Sequence, residues 1–479
     1  MWAFKYHIDP MSKSEHTKPS FVSWLKKSLG VRLTILGFLA LLLLIPLNFA
    51  KDLLKQRENY QNKSINEVSE KWGDAQIISG PILRIPYQFT TKKYSEDGEK
   101  YTWETHKSNF FVLPDSLHIN AKIEPEVRYR GVYEIVVYET SIKMEGYFKD
   151  FGQSKWENWG VKESNILWNE AVLEFSVGDP KGINSQIQLD WNGKPLDFVH
   201  GQSTSTNHSY TPLDYNHYNL SNNKSNYLEV ETLIAQEDKQ LKKQIFHLNL
   251  ELNGSKQLQF SPVGKTTTAS IESSWTSPSF DGAFLPKTRT IDESGFSAFW
   301  HVIHLNREFP QHYIGFQNLK NTTFGLSLFQ PGNIYQMANR AGKYGFMIIA
   351  LTLLTFFFFQ LFYPIKVHSF QLFLIGLALC IFYALLIAFS ERIAFSMSYL
   401  ISSSATILLI VLFSWRLMKQ IRIALNLGAI LVLLYGVIYW LIQLEDPLLI
   451  GTLILFVILA ILMALSSKIN WYTNATNSK

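Results

Sequence analysis

The chain has 479 residues, a formal net charge of +5 and a single cysteine. Its hydrophobic content of 47% and mean hydropathy of +0.02 are those of an ordinary globular protein. This average conceals long apolar runs near both ends, with polar residues 51–342 between them, so a wholly soluble protein is excluded. One cysteine also excludes an intramolecular disulfide, and the polar region must therefore be stabilised by its own core.

Six stretches are apolar over about the 20 residues that a helix needs to cross the hydrocarbon core of a bilayer. One stands alone near the start of the chain, and the other five follow the polar region. They are Leu33–Ala50, Tyr344–Tyr363, Phe370–Phe389, Ile393–Phe413, Ile423–Gln443 and Leu448–Leu465. The sequence therefore predicts a polytopic membrane protein with one large insert.

A basic flank that includes Lys26, Lys27 and Arg32 precedes the first stretch. Positive residues favour the cytoplasmic side, so we expect the N-terminus to lie there. A cleaved signal peptide is the alternative, but the run is long and the residues before Lys51 form a poor small-residue cleavage site. We favour an uncleaved signal anchor, and Met11 could initiate the same topology as Met1.

Charges in the short loops support the same threading. Six spans from a cytoplasmic start place Arg416, Lys419 and Arg422 inside, and the short turns on the other side contain Glu391-Arg392 and Glu445-Asp446. The positive-inside rule therefore predicts six spans with both termini in the cytoplasm. The lipid bilayer is the expected partner, and nothing indicates nucleic acid.

These boundaries define an α+β membrane protein with six transmembrane helices and a large β-rich domain on the extracytoplasmic side. The predicted parts are a cytoplasmic tail (1–32), a first span (33–50), the β-rich domain (51–342), a bundle of five spans (343–467) and a second cytoplasmic tail (468–479). Residues 52–71 have helical spacing of apolar side chains. A helix should therefore continue from the first span to about Trp72.

Beyond Trp72 the pattern changes to short β-strands. Extended or alternating segments are Gln76–Tyr87, Val132–Tyr138, Ser141–Phe148, Ala171–Val177, Gln186–Trp191 and Phe246–Leu252. Two of them are followed by the turn signals Asn192-Gly193 and Asn253-Gly254. We expect a β-sandwich or barrel, with the polar stretch Gly201–Asn226 as a long exposed loop.

Three motifs in this domain could suggest chemistry, and each has a simpler interpretation. Gly264-Lys265-Thr266 ends like a phosphate-binding loop but lacks the glycine-rich cradle, so a turn before a Thr-rich strand is favoured. His301 and His304 on a strand would point to opposite faces and have no carboxylate or cysteine at ligand spacing. The segment Ser203–His208 offers serine and histidine without a positioned third member. The sequence predicts no catalytic, metal or cofactor-binding residue and no cofactor.

Several tryptophans give this domain an aromatic character. They are Trp156, Trp159, Trp168, Trp191, Trp275 and Trp300. A platform for glycan binding is conceivable, but packing in the core is the usual use of such side chains.

The predicted membrane helices contain few polar residues and no charge near their centres. The polar ones are Gln360, Ser402-Ser403-Ser404 and Gln443, while Cys380 is expected to be a small packing residue. Glu391-Arg392 and Glu445-Asp446 lie at helix boundaries, where their roles stay open. This distribution argues against a proton-driven pump and against a buried acid–base dyad.

Segments in all parts of the chain fit one pattern. Near the membrane they are Arg57-Glu58-Asn59-Tyr60 and the run Trp72–Leu83; in the outer domain, Tyr129–Tyr133, Pro278–Pro286 and Gly295–Trp300; and in the bundle, Arg340–Gly345, Ser390–Phe395, Leu434–Asp446 and Asn470-Trp471-Tyr472. In their order and spacing they resemble the CreD-like bacterial inner-membrane proteins, a family associated with cell-envelope integrity. The resemblance covers about residues 30–472. Three positions depart from the family pattern: Gln360 replaces a usual acidic residue, Ser369 a usual proline and Pro447 a usual aromatic.

The resemblance implies a multi-pass protein of the bacterial inner membrane that maintains the envelope under stress, in relatives downstream of a two-component sensor. It brings no catalytic residue with it. We therefore expect a non-enzymatic envelope-integrity protein, with other envelope proteins, glycans or lipids as candidate partners. The alternatives are a flippase-like translocator of an envelope lipid or glycan, and a sensor that signals through a separate partner.

Overall fold

The computed structural model describes residues 29–94, 100–149, 161–200, 227–230, 243–315, 317, 319–328, 334–363, 367–444 and 447–467. The chain divides into two compact units. One combines Met1–Asn59 with Gly332–Lys479, and the other is Tyr60–Pro331. We call them the helical unit and the β unit.

The helices confirm the predicted spans and add one element. They are α1 Leu29–Leu42, α2 Leu44–Trp72, α3 Ile334–Lys343, α4 Gly345–Phe362, α5 Ser369–Ser390, α6 Phe395–Met418, α7 Ile421–Gln443 and α8 Pro447–Ser467. Among the described residues, five helical stretches are long and apolar enough to cross a membrane, and the first of them is the combined run Gly30–Trp72. Helix α8 has 21 residues, and its apolar part, Leu449–Ala464, is shorter than the other five stretches.

The first span continues as a helix to Trp72, as predicted. Pro46 has no N–H to donate, which accounts for the interruption between α1 and α2 at Leu43. Helical hydrogen bonds continue on both sides of the interruption: the Leu43 N–H donates to the Leu39 carbonyl, and the Leu47 N–H donates to the Leu43 carbonyl.

Close packing of the first span against the bundle depends on small residues of α5. A Cβ added at Gly376 would lie 2.0 Å from a methyl of Leu43, so only glycine admits this leucine. Cys380, one turn further along α5, is buried with its Sγ 3.7 Å from the Leu43 carbonyl oxygen. The cysteine is thus a packing residue, as expected.

The strands, in chain order, are β1 Gln76–Tyr94, β2 Tyr101–Val112, β3 Ser116–Arg130, β4 Tyr133–Phe148, β5 Val172–Ser176, β6 Gln188–Trp191, β7 Lys194–Leu196, β8 Phe198–His200, β9 Tyr227–Val230, β10 Gln244–Ser255, β11 Gln257–Phe260, β12 Thr266–Ser273, β13 Pro278–Gly282, β14 Thr288–Asp292, β15 Gly295–Ile303, β16 His312–Ile314 and β17 Phe324–Leu328. Among the described residues they form two sheets. The first has the order β13-β17-β11-β1-β5-β9-β8, with β2 pairing β1 and β16. The second has the order β14-β15-β12-β3-β4-β10-β6-β7.

The two sheets share one hydrophobic core, which makes the β unit a sandwich. Trp300 of the second sheet is fully buried and packs against Phe280 and Phe324 of the first, with ring centroids 5.7 Å apart in both pairs. The hydroxyl of Tyr138 on β4 donates to the Gln257 carbonyl at 2.7 Å. Burial raises the pKa of this tyrosine well above its usual value, so the hydroxyl keeps its proton.

One turn signal is confirmed and the other is wrong. Asn192 and Gly193 both have positive φ, 53° and 82°, and join β6 to β7 as a two-residue hairpin. Asn253 and Gly254 instead continue β10, and the chain turns at Lys256, where φ is 66°. Gly254 serves close packing, because a Cβ there would lie 2.3 Å from the Tyr138 hydroxyl.

The end of α2 is fixed to the sandwich by cationic side chains. Arg128 stacks over the Trp72 ring at 3.6 Å, and Arg130 pairs with Glu67 at 3.0 Å. Lys256 donates to Asp74 at 2.9 Å. Burial raises the pKa of Asp74, but the hydrogen bonds from Lys256 and the Ala75 N–H, with the lysine charge, outweigh it and hold the pKa below the usual 3.8.

Because the folded pKa of Asp74 is depressed, its stabilising contribution is present above pH 3.8 and is lost as the pH falls through the lower folded value. We expect Asp74→Asn to flatten the loss of thermal stability in acid, because the amide cannot titrate. Thermal unfolding of the full-length protein, followed by circular dichroism between pH 6 and about 3, measures this slope. The exposed Glu293→Gln should keep the wild-type slope, and equal slopes for wild type and Asp74→Asn would contradict the assignment.

Candidate functional site at one end of the helix bundle

The turn between α5 and α6 places Glu391 where several helices end. Its Oε1 lies 3.4 Å from the Arg57 Nε, and the Tyr335 hydroxyl donates to the same oxygen at 3.4 Å. Glu391 is mostly buried, whereas Arg57 is half-exposed. The charge of Glu391 is thus compensated at the rim of the bundle rather than at its centre, where an ion would be most costly.

A second contact ties α2 to α3 beside this pair. The Asn339 side-chain amide donates to Glu58 Oε2 at 3.1 Å. Arg57 and Glu58 are consecutive on α2, so one point of this helix contacts both the α5–α6 turn and α3.

Arg340 of α3 caps the end of α7. Its Nη1 donates to the carbonyl oxygens of Ile442 and Leu444 at 3.3 and 3.0 Å. The last carbonyls of a helix have no hydrogen-bond partner within the helix and carry partial negative charge. A guanidinium at this end donates the missing hydrogen bonds and supplies a compensating positive charge. Arg57, Glu58, Tyr335, Asn339, Arg340 and Glu391 together form what we call the Glu391 cluster.

These contacts also show how the bundle alternates. At the end of the bundle that contains Glu391, α5 ends, α6 begins and α7 ends. Helix α2 passes the same end at Arg57. Arg416 in the last turn of α6 and Lys419 directly after it therefore lie at the opposite end, with the start of α1. The arrangement agrees with antiparallel spans.

Aromatic side chains pack inside the bundle next to the cluster. Phe382 of α5 makes edge-to-face contacts with Tyr399 of α6 and Tyr435 of α7, at 5.5 and 4.9 Å. The Tyr399 hydroxyl donates to the Tyr435 carbonyl at 2.8 Å. Three helices are thus joined by one aromatic cluster with a hydrogen bond at its centre.

A crevice lies between α2, α3 and α5, with Lys51, Gly342 and Tyr383 on its walls. Its volume is about 10 Å³, and its lining is almost wholly apolar. This is close to the smallest space that holds one water molecule, so the crevice offers no room for a substrate.

Other residues singled out in the sequence have structural positions. Gln360 is a half-buried residue in the last turn of α4, and Arg392 is exposed beside Glu391. His368 caps the start of α5. Its ring accepts from the Phe370 N–H, while the Gln371 side chain accepts from the His368 N–H. Glu445 and Asp446 lie outside the described residues.

In the β unit, most residues of the motifs considered in the sequence serve the fold. Gly264-Lys265-Thr266 is the turn into β12, His301 lies on β15, and His304 in the turn that follows. Trp191 and Trp300 are buried, and Trp168 and Trp275 pack against the core, which confirms the packing interpretation. Trp156, Trp159 and the stretch Gly201–Asn226, with Ser203–His208, lie outside the described residues.

The family-like segment Pro278–Pro286 contains a hydrogen-bonded network between strands. Asp281 of β13 accepts from the Gln259 amide at 2.5 Å and from the Ser327 hydroxyl at 2.6 Å. The Thr323 hydroxyl donates to the other atom of the Gln259 amide at 2.9 Å. The network connects β13, β11 and β17, so the aspartate positions strands.

A buried charged group in the sandwich also has a structural explanation. Glu174 is fully buried and accepts from Arg84 at 2.5 Å. Burial raises the pKa of Tyr313, and the nearby Glu174 charge adds to this. Burial lowers the pKa of Arg307 to about 10, so this guanidinium stays charged at neutral pH and donates to the Val263 carbonyl at 3.0 Å. Arg84 and Glu174 thus connect β1 to β5, and Arg307 connects the segment before β16 to the one after β11.

We expect Glu391→Gln to lower the free energy of unfolding by about 1 kcal/mol, because the amide loses the charge that pairs with Arg57. Thermal denaturation of the detergent-purified protein measures the change, with the exposed Arg392→Gln as a control. A double-mutant cycle with Arg57→Gln isolates the pair. A coupling energy of zero within error would show that the pair contributes nothing to stability.

Comparison with known proteins agrees with these features. The family model described as "Inner membrane protein CreD" matches residues 28–472. The inner membrane protein CreD of Escherichia coli (strain K12) is 28% identical over 457 residues, which cover 94% of this chain and 95% of that protein. The chain was also matched to a crystal structure of a protein from Parabacteroides distasonis ATCC 8503. The match covers 49% of this chain and 45% of that protein, at 9% identity and a TM-score of 0.20. With its apolar helices and a match over nearly its whole length, the chain belongs to the CreD family of inner membrane proteins.

Proposed function

We propose that this protein supports the integrity of the cell envelope under stress, without catalysing a reaction, and acts through its β unit on the extracytoplasmic side. One observation carries the proposal. The Glu391 cluster brings together residues of three family-like segments, Arg57–Tyr60, Arg340–Gly345 and Ser390–Phe395. Their charged members in the cluster are engaged with one another, with Asn339 or with a helix end. Residues used in this way build and hold a scaffold.

The interior of the helical unit favours this role over translocation. Among the described residues of the spanning helices, the buried polar side chains are uncharged ones such as Thr352, Ser402 and Ser414. The crevice beside the cluster admits about one water molecule. A lipid or glycan translocator would need a polar cavity of the size of its substrate.

The basic residues between α6 and α7 support this orientation. Arg416, Lys419 and Arg422 surround the short connection between α6 and α7, at the end opposite the Glu391 cluster. Because short basic loops are retained in the cytoplasm, we infer that the cluster faces the extracytoplasmic side.

Single cysteines test this orientation in a Cys380→Ala background. We expect a membrane-impermeant thiol reagent applied to intact spheroplasts to label Arg392→Cys. Lys419→Cys should be labelled only after the membrane is permeabilised, because its loop would face the cytoplasm. The reverse pattern would place the cluster in the cytoplasm and contradict the proposal.

Complementation tests the function itself. A deletion strain should become sensitive to envelope stress, such as detergent or a cell-wall antibiotic, and the wild-type chain should restore growth. Glu391→Ala should lose function only in proportion to its loss of folded protein in the membrane. If this variant abolished complementation at normal abundance and thermal stability, a catalytic or transport role for the cluster would replace the non-enzymatic one.

A further inference from the structure

The hairpin of β1 and β2 extends beyond the sandwich core as a two-stranded ribbon. Residues 90–94 of β1 and 101–103 of β2 are exposed or nearly so, whereas residues 110–112 of β2 are buried. We call the part formed by Phe89–Tyr94 and Tyr101–His106 the ribbon. A two-stranded hairpin is only marginally stable in water, so contacts between its own side chains matter.

One face of the ribbon is aromatic and exposed. Tyr94 is paired with Tyr101, and Lys92 with Trp103, so these four side chains lie on the same face. Tyr94, Tyr101 and Trp103 are 61%, 50% and 60% exposed. Their rings follow one another, with centroid separations of 6.0 and 5.9 Å. Large aromatic groups left together in water mark a binding surface more often than scattered ones do.

The Lys92 ammonium lies above this aromatic face, 4.4 Å from the Tyr101 ring centroid and 5.3 Å from that of Trp103. Among the described residues, the Lys92 ammonium contacts these two rings, and no carboxylate forms an ion pair with it. The opposite face differs, because Lys93 is paired with Glu104 at 2.6 Å. Lys92 is therefore available to an acidic group on a ligand that packs against the rings.

We infer that this face binds a polysaccharide with spaced carboxylates, a chemistry found in envelope glycans. The C–H faces of sugar rings are apolar and pack on aromatic rings while their hydroxyls stay hydrated, and Lys92 would bind a carboxylate. A single lysine beside three rings matches widely spaced carboxylates better than a densely charged polyanion. This inference rests on the proposed extracytoplasmic position of the β unit.

Binding is measured with the full-length protein in nanodiscs and two defined hexasaccharides. One is a hyaluronan hexamer, with a carboxylate on every second sugar, and the other is neutral chitohexaose. We expect wild type to bind hyaluronan more tightly than chitohexaose. Trp103→Ala should weaken both by about tenfold, since it removes a stacking ring, whereas Trp103→Phe should retain most of the affinity.

Charge variants on the two faces provide the matched control. Lys92→Gln should reduce hyaluronan binding to the level of chitohexaose, and Lys93→Gln, which removes the same charge from the opposite face, should leave it unchanged. Failure of wild type to bind either sugar would overturn the inference, as would equal affinities of wild type and Trp103→Ala. Equal losses in the two lysine variants would also overturn it, because they would indicate unspecific attraction.

A membrane contact is the competing use of such a face, since tyrosine, tryptophan and lysine also suit the bilayer interface. A fluorophore at Trp103→Cys, in the Cys380→Ala background, reports it through quenching by nitroxide-labelled lipid. We expect no more quenching than at Thr102→Cys on the other face, and selective quenching at position 103 would overturn the glycan assignment. The binding test and the complementation test are independent of each other. Failure to bind sugar would contradict only this inference, and failure to complement would contradict only the proposed function.

Discussion

The structure depends on one constraint, which is that charged side chains and backbone groups removed from water must find partners within the protein. In the membrane this confines the backbone to helices, whose only unsatisfied groups lie at their ends. The Glu391 cluster meets the constraint where four helices begin or end. Arg340 satisfies the last carbonyls of α7, and the carboxylate of Glu391 receives Arg57 and Tyr335. Charge is therefore concentrated at the rim, and the interior between the spans is left to rings, hydroxyls and small residues.

The same constraint operates in the β unit without a membrane. A sandwich without disulfides depends on its shared core, and several polar side chains within it hold strands in position. Asp281, Gln259 and Glu174 each hold strands together through buried or half-buried hydrogen bonds. Breaking one partner of such a pair leaves an uncompensated group, which costs more than the pair contributes. Family-like residues in both units thus have clear structural roles, and motif residues alone cannot be taken as evidence of catalysis.

The sequence predicts features that repeat over many residues and misses those that depend on distant contacts. The six spans and the long α2 follow from apolar length and helical period, and β6–β7 from Asn192-Gly193. Helix α3 was not predicted, because its buried side chains include the small Ala338 and Ala341 and its polar face resembles a linker. Asn253-Gly254 misled because glycine also serves close packing, here against Tyr138. The Glu391 cluster joins residues 57, 340 and 391, and a single sequence contains no signal that pairs them.

Exposure is the property that separates the aromatic residues of the β unit. Trp103 and Trp300 are the same residue type, and in the structure each lies on a strand with alternating side chains. Trp300 is fully buried between two sheets, whereas Trp103 on the ribbon is 60% exposed. Alternation indicates that a residue shares a face with its second neighbours, but only the partner sheet decides whether that face is dry. Among the described residues, nothing covers the rings of the ribbon, and the proposed recognition therefore accounts for them better than packing does.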